Sequence, residues 1–117
     1  MQKQKKRKIM GWLYILIASI FEISWAVGLK YSQGLTQLKE SIFTIITMLL
    51  SFYFLSLGVK YIPIGTAYAV WTGIGTAGTA LYGILFFNEP KELIRISFIV
   101  LIIIGIVGLR LTYKTNL

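Results

Sequence analysis

Apolar residues in this chain fall into four long runs separated by short polar breaks. The first is Ile9–Leu29, and the second is about Ile42–Val59. The third is about Ile64–Phe87, and the fourth is about Ile96–Leu109. Charge and turn residues sit between them: Lys30 to Glu40, Lys60 to Pro63, and Asn88 to Glu92. About 20 apolar residues cross a bilayer core as a helix. The pattern therefore predicts an all-α integral membrane protein with four transmembrane helices, about 9–29, 42–59, 64–87 and 96–113. In the last of these, Arg110 and Tyr113 extend the span to the interface by snorkelling. Residues 1–8 form a basic tail ahead of a single transmembrane domain, 9–113.

Composition agrees. Of 117 residues, 56% are hydrophobic, too many for a soluble domain of this size to hide, and mean hydropathy is +0.76. A membrane β-barrel would alternate apolar and polar residues over segments of about ten, and no segment does so. The basic start before an apolar run also suits a signal peptide, with Ala26 and Gly28 as small residues near a cut. The run is longer than an h-region of ~7–15 residues and contains a carboxylate, so a first span is the better reading. The net charge of +8 is placed at the tail and in the loops, where anionic headgroups lie, and does not imply nucleic acid.

Cysteine and histidine are absent, which excludes disulfides, Cys/His metal sites and Ser-His-Asp chemistry. No phosphate-binding glycine motif is present; Gly73-Ile-Gly75-Thr-Ala-Gly78 lies inside an apolar span. No cofactor, metal or enzymatic reaction is expected.

One residue changes the picture. Glu22 is the only acidic residue in the first run, roughly 20 Å along the helix from Ile9. An ionisable group at that depth costs a few kcal/mol or more, and is by default a functional-site hypothesis. Ile15, Ala18, Ser19, Glu22, Trp25 and Leu29 recur at three- and four-residue spacing and share one face. On the third span Tyr68, Trp71, Thr72, Gly75 and Thr79 share a face, and on the second Met48, Ser51 and Leu55 form a stripe. A carboxylate offers a counter-charge to a cation, and aromatic faces add cation–π attraction. Hydroxyls and indole N–H groups can orient the carboxylate. Each has a plainer reading: Trp12, Tyr14, Tyr31, Tyr61 and Tyr113 suit membrane interfaces, Tyr68 can simply pack, and Ser51 can bond its own helix backbone.

Four short helices are too few to enclose and gate a cavity, so a dimer is expected. Gly105-Ile-Val-Gly108 on the fourth span suits close helix approach. Two chains would bring two Glu22 carboxylates into one site, where a proton and a cation compete for them.

These residues resemble the small multidrug resistance transporters, and more narrowly their guanidinium-exporter branch. The resemblance runs from about Met10 to Thr112. It is carried by Glu22-x-x-Trp25-Ala-Val-Gly-Leu-Lys30-Tyr-Ser-x-Gly34 and by Pro63-Ile-Gly65-Thr-Ala-Tyr68-Ala-Val-Trp71-Thr-Gly73-Ile-Gly75. Phe87-x-Glu89 and Gly105-Ile-Val-Gly108-Leu-Arg110 complete it. It implies a dimer of antiparallel subunits in a bacterial inner membrane, exporting guanidinium-like cations in exchange for protons. It also implies Glu22 as the shared site, with Trp25, Ser51, Tyr68 and Trp71 around it, and the fourth helix as the main dimer contact. Ser19, Met48 and Gly75 are further pocket candidates. Trp25 separates this branch from the one that exports lipophilic quaternary or aromatic cations, which is the alternative function. Guanidinium matches a carboxylate in two-pronged geometry, and close indoles disfavour bulky drugs.

The chain departs from that pattern at Ser19, where glycine is usual, at Arg110, where lysine is usual, and in the tail Lys3 to Lys8. The tail biases orientation. Eight Lys/Arg fall on the side of the termini and four on the other, which favours both termini in the cytoplasm. Either the chain has one orientation and pairs with an oppositely inserted homologue, or Met10 is the true start, which leaves three against four and permits a homodimer.

Overall fold

A computed structural model describes residues 2–112. It holds four helices, α1 (Gln2–Tyr31), α2 (Leu38–Gly58), α3 (Ile64–Phe86) and α4 (Leu93–Thr112). All four are long and apolar enough to cross a membrane. The chain is a multi-pass membrane protein.

Three helices begin ahead of their apolar runs, α2 at Leu38, four residues before Ile42. α1 begins at Gln2, so Lys3 to Lys8 ride on a helical extension of the first span. Lysine, arginine and glutamine are good helix formers, and an established span supplies the nucleus that an isolated segment lacks. α4 begins at Leu93, three residues before Ile96, and Arg95 falls within its first turn. Tyr113, the predicted end of the fourth span, lies outside the described residues.

Short connections force neighbouring helices to run antiparallel. Trp12 near the start of α1 meets Arg110 near the end of α4, whose guanidinium carbon stands 4.9 Å from the indole centroid. Tyr31, Tyr82 and Phe87 pack together at the opposite end, with centroids 5.3–6.4 Å apart. Aromatic rings thus mark both ends of the layer, as expected at membrane interfaces.

The arrangement is flat, 48 × 35 × 18 Å. α1 is central and packs against α2 and α3, while α4 packs mainly on α3 and reaches α1 through Arg110 over Trp12. The α1–α2 seam is built from small and hydroxyl residues. The buried residues of α2 are Ser41, Thr44, Thr47, Ser51 and Gly58. Thr44 sits against Gly28, where an added Cβ would come 3.2 Å from the Thr44 Cβ. Ile15 lies on Gly58 in the same way, 2.8 Å from such a Cβ. Helices in lipid associate by such close packing, because lipid tails are as apolar as leucine and there is no water to escape. Two of the four inward hydroxyls bond backbone carbonyls one turn back, Thr44 Oγ1 to Glu40 O at 2.7 Å and Thr47 Oγ1 to Phe43 O at 2.8 Å. The large apolar residues of α2, including Phe43, Ile46, Leu49 and Tyr53, face outward.

A small core of Ile15, Ala18, Ile62, Ala67, Val70 and Trp71 joins α1, α3 and the loop between α2 and α3. In contrast, α4 buries only Ile99.

Candidate functional site

Glu22 stands near the middle of the apolar part of α1 and points at α3. Its carboxylate lies directly over Gly75: a Cβ built there would be 2.9 Å from Glu22 Cγ and closer still to Oε1. Only a residue without a side chain lets the carboxylate come so near the α3 backbone. One α1 turn on, Trp25 borders the same cavity. The cavity measures about 380 Å³ and is lined by Glu22, Trp25, Ala26, Gly75, Thr76, Thr79, Ala80 and Glu89. Within it Glu22 Oε1, Trp25 Nε1 and Thr79 Oγ1 are enclosed and make no hydrogen bond. An acceptor, a donor and a hydroxyl are therefore left for something the site binds, since buried polar groups are nearly always paired.

The other expected residues form a layer beside this cavity. Trp71 Nε1 donates to Ser51 Oγ at 3.0 Å, and Ser51 Oγ donates to the Ala18 carbonyl at 2.7 Å. Ser51 thus bonds across to α1 rather than to its own helix. Its target lies one turn before Glu22, so three helices are tied together next to the carboxylate. Rings continue the layer: Trp25 meets Phe52 at 6.4 Å, Phe52 meets Trp71 at 5.8 Å and Tyr68 meets Trp71 at 5.4 Å. Tyr68 is 54% exposed on the face of α3, although Trp71 beside it is buried.

Ser19 is fully buried, and its hydroxyl donates to Ile15 O at 2.7 Å, within its own helix. Its hydroxyl is thereby engaged one turn back on α1. Met48 is partly buried on α2, one turn before Ser51. Gly105 and Gly108 sit on α4 with open space in front of them: a Cβ at either would meet nothing within 4 Å.

Five cavity residues, Ala26, Thr76, Thr79, Ala80 and Glu89, were not among the candidates. Thr79 shares the helical face of Gly75, a signal that the periodicity does carry. Glu89 lies 14 residues beyond Gly75 in the loop after α3, and only the chain reversal at Asn88, with φ of 55°, brings it back. Among the described residues no group of acidic, Cys or His side chains could hold a metal ion.

The site is thus a carboxylate in mid-span of a four-helix membrane layer, beside an indole and over an open cavity. The chain's relatives place it more narrowly. A family profile for the Small Multidrug Resistance protein matches residues 10–102. A guanidinium exporter of Proteus vulgaris is 48% identical over 102 residues, covering 87% of this chain and 98% of the relative. Those of Escherichia coli (strain K12) and Salmonella typhimurium are 44% and 48% identical over 103 residues, each covering 88% of this chain and 98% of the relative. The chain belongs to the small multidrug resistance family.

Proposed function

We propose that this protein exports guanidinium and related small guanidinyl cations in exchange for protons, as an antiparallel dimer in a bacterial inner membrane. The observation that carries the reading is the unpartnered Glu22 carboxylate, seated on Gly75 beside the unpartnered Trp25 indole. A planar cation can offer N–H edges to the carboxylate while its face meets the indole. Relatives named guanidinium exporters, similar over nearly their whole length, support that substrate.

A dimer would complete the site. The described chain is a flat layer whose cavity is open, with Tyr68 on its exposed face. α4 presents an unpacked face with Gly105 and Gly108, suited to a second copy. Two Glu22 carboxylates facing one space hold either substrate or protons, and that exclusion couples the two fluxes.

The partner has two readings. The excess of eight Lys/Arg on one side over four on the other favours a fixed orientation and an oppositely inserted homologue. A homodimer requires both orientations of this chain. Export of lipophilic quaternary cations by the same carboxylate is disfavoured by the Trp25–Phe52–Trp71–Tyr68 aromatic layer beside the site.

The test is transport in proteoliposomes of wild type and Glu22→Gln. Guanidinium should drive a pH change that the variant lacks, while a tetraphenylphosphonium cation gives little. A dominant response to the bulky cation would move the protein to the multidrug function. Silence with both, reversed by adding an oppositely inserted homologue, would establish the heterodimer.

A further inference from the structure

The Glu22 cavity has a second carboxylate. Glu89 lines it from the α3–α4 loop. Its backbone N–H donates to Gly83 O at 3.1 Å, and its side chain lies on Gly83, where a Cβ would fall 2.6 Å from Oε2. Gly83 is eight residues beyond Gly75 on α3, or about 12 Å along the helix. The two carboxylates therefore stand at two levels of one space, Glu22 in mid-span and Glu89 at the mouth. Thr79 lies between them on α3, and its enclosed hydroxyl has no partner.

Glu89 is held by a guanidinium of the chain's own. Arg95 Nη2 donates to Glu89 Oε1 at 3.0 Å, while Arg95 Nε is enclosed and unpartnered. The grip is single-pronged. Both side chains are more than 40% exposed, so the pair is weak and exchangeable. A free guanidinium offers the same chemistry without a tether, and can present two N–H groups to both carboxylate oxygens.

We propose that Glu89 is a cation-docking site at the mouth of the cavity. There a guanidinium-type cation passing between the mouth and Glu22 by way of Thr79 displaces the Arg95 side chain. The inference rests on the exporter reading and adds to it a docking step at the mouth and a built-in competitor. Arg95 then sets how readily substrate occupies the mouth, since it holds the docking carboxylate whenever substrate does not.

Removing either partner breaks the same ion pair, so a merely structural bridge makes both variants move alike. A docking site with a competitor makes them move apart. The experiment is the guanidinium concentration giving half-maximal initial transport at low salt, for wild-type, Glu89→Gln and Arg95→Gln protein in proteoliposomes. Glu89→Gln should raise it about two- to fivefold, the size of an exposed ion pair. Arg95→Gln should lower it by a similar factor, and both effects should shrink in high salt. If Glu89→Gln does not fold, the fall in Arg95→Gln alone carries the test. An unchanged or raised value in Arg95→Gln overturns the docking site while leaving the exporter reading intact. No guanidinium transport by wild type, alone or with a partner homologue, overturns both.

Discussion

Trp71 and Ser51 are joined by a 3.0 Å hydrogen bond from indole to hydroxyl, and the hydroxyl in turn donates a hydrogen bond to the Ala18 carbonyl at 2.7 Å. One serine thus links α3, α2 and α1 one turn from Glu22. Ser51→Ala leaves a buried indole N–H without its acceptor. The cost in membranes is about 0.6 kcal/mol on average and up to about 1.7 for such bonds. We expect a loss of about 1 kcal/mol, read as a lower thermal midpoint in detergent, and a larger proportional loss of transport. Unchanged stability and transport together would show that the link is idle.

Gly75→Ala tests the seat of the carboxylate. Its Cβ would stand 2.9 Å from Glu22 Cγ, so the side chain must leave its place. Overpacking of this kind costs about 1–3 kcal/mol. Transport should fall at least tenfold with the protein still folded. Gly65→Ala is the control, because a Cβ there meets nothing within 4 Å. Equal transport by both variants would remove Gly75 from the site.

Competition between protons and substrate has a definite sign. Acidifying the side from which substrate binds fills Glu22 with protons and weakens substrate binding. The apparent affinity falls by up to about tenfold per pH unit for each proton displaced. Glu22→Asp should keep this dependence and Glu22→Gln should abolish binding. Binding that strengthens on acidification would exclude shared occupancy.

The open α4 face makes a separate prediction. Gly105→Leu and Gly108→Leu add bulk where the single chain has room, so the monomer fold should be preserved. Cross-linking between chains and transport should both fall. Full dimerisation by both variants would place the contact elsewhere.

Orientation is measurable with a reporter on the C-terminus. The eight-to-four charge excess predicts one dominant population with the C-terminus in the cytoplasm. Starting the chain at Met10 should bring the two populations close to equal. Equal populations of the full chain would refute fixed orientation.

Four spans were legible in the sequence because lipid imposes a length and a polarity on any helix that crosses it. Glu22 was legible for the same reason: a carboxylate inside such a run is too costly to be incidental. Helical spacing also placed Glu22 beside Trp25, and Gly75 on the face of Trp71. Spacing along one helix says nothing about which helix a face meets. That Glu22 rests on Gly75 depends on how α1 and α3 rotate and pack. Ser51 had two open roles, and only the approach of α1 brought the Ala18 carbonyl within reach of its hydroxyl. Glu89 is the clearest case. Its neighbours in sequence mark it as a loop residue, and the left-handed turn at Asn88 returns it to the mouth of the Glu22 cavity. Solvent preference is a property of each segment and can be read from the segment. Proximity between segments is a property of the packed whole, and the tertiary structure alone decided it.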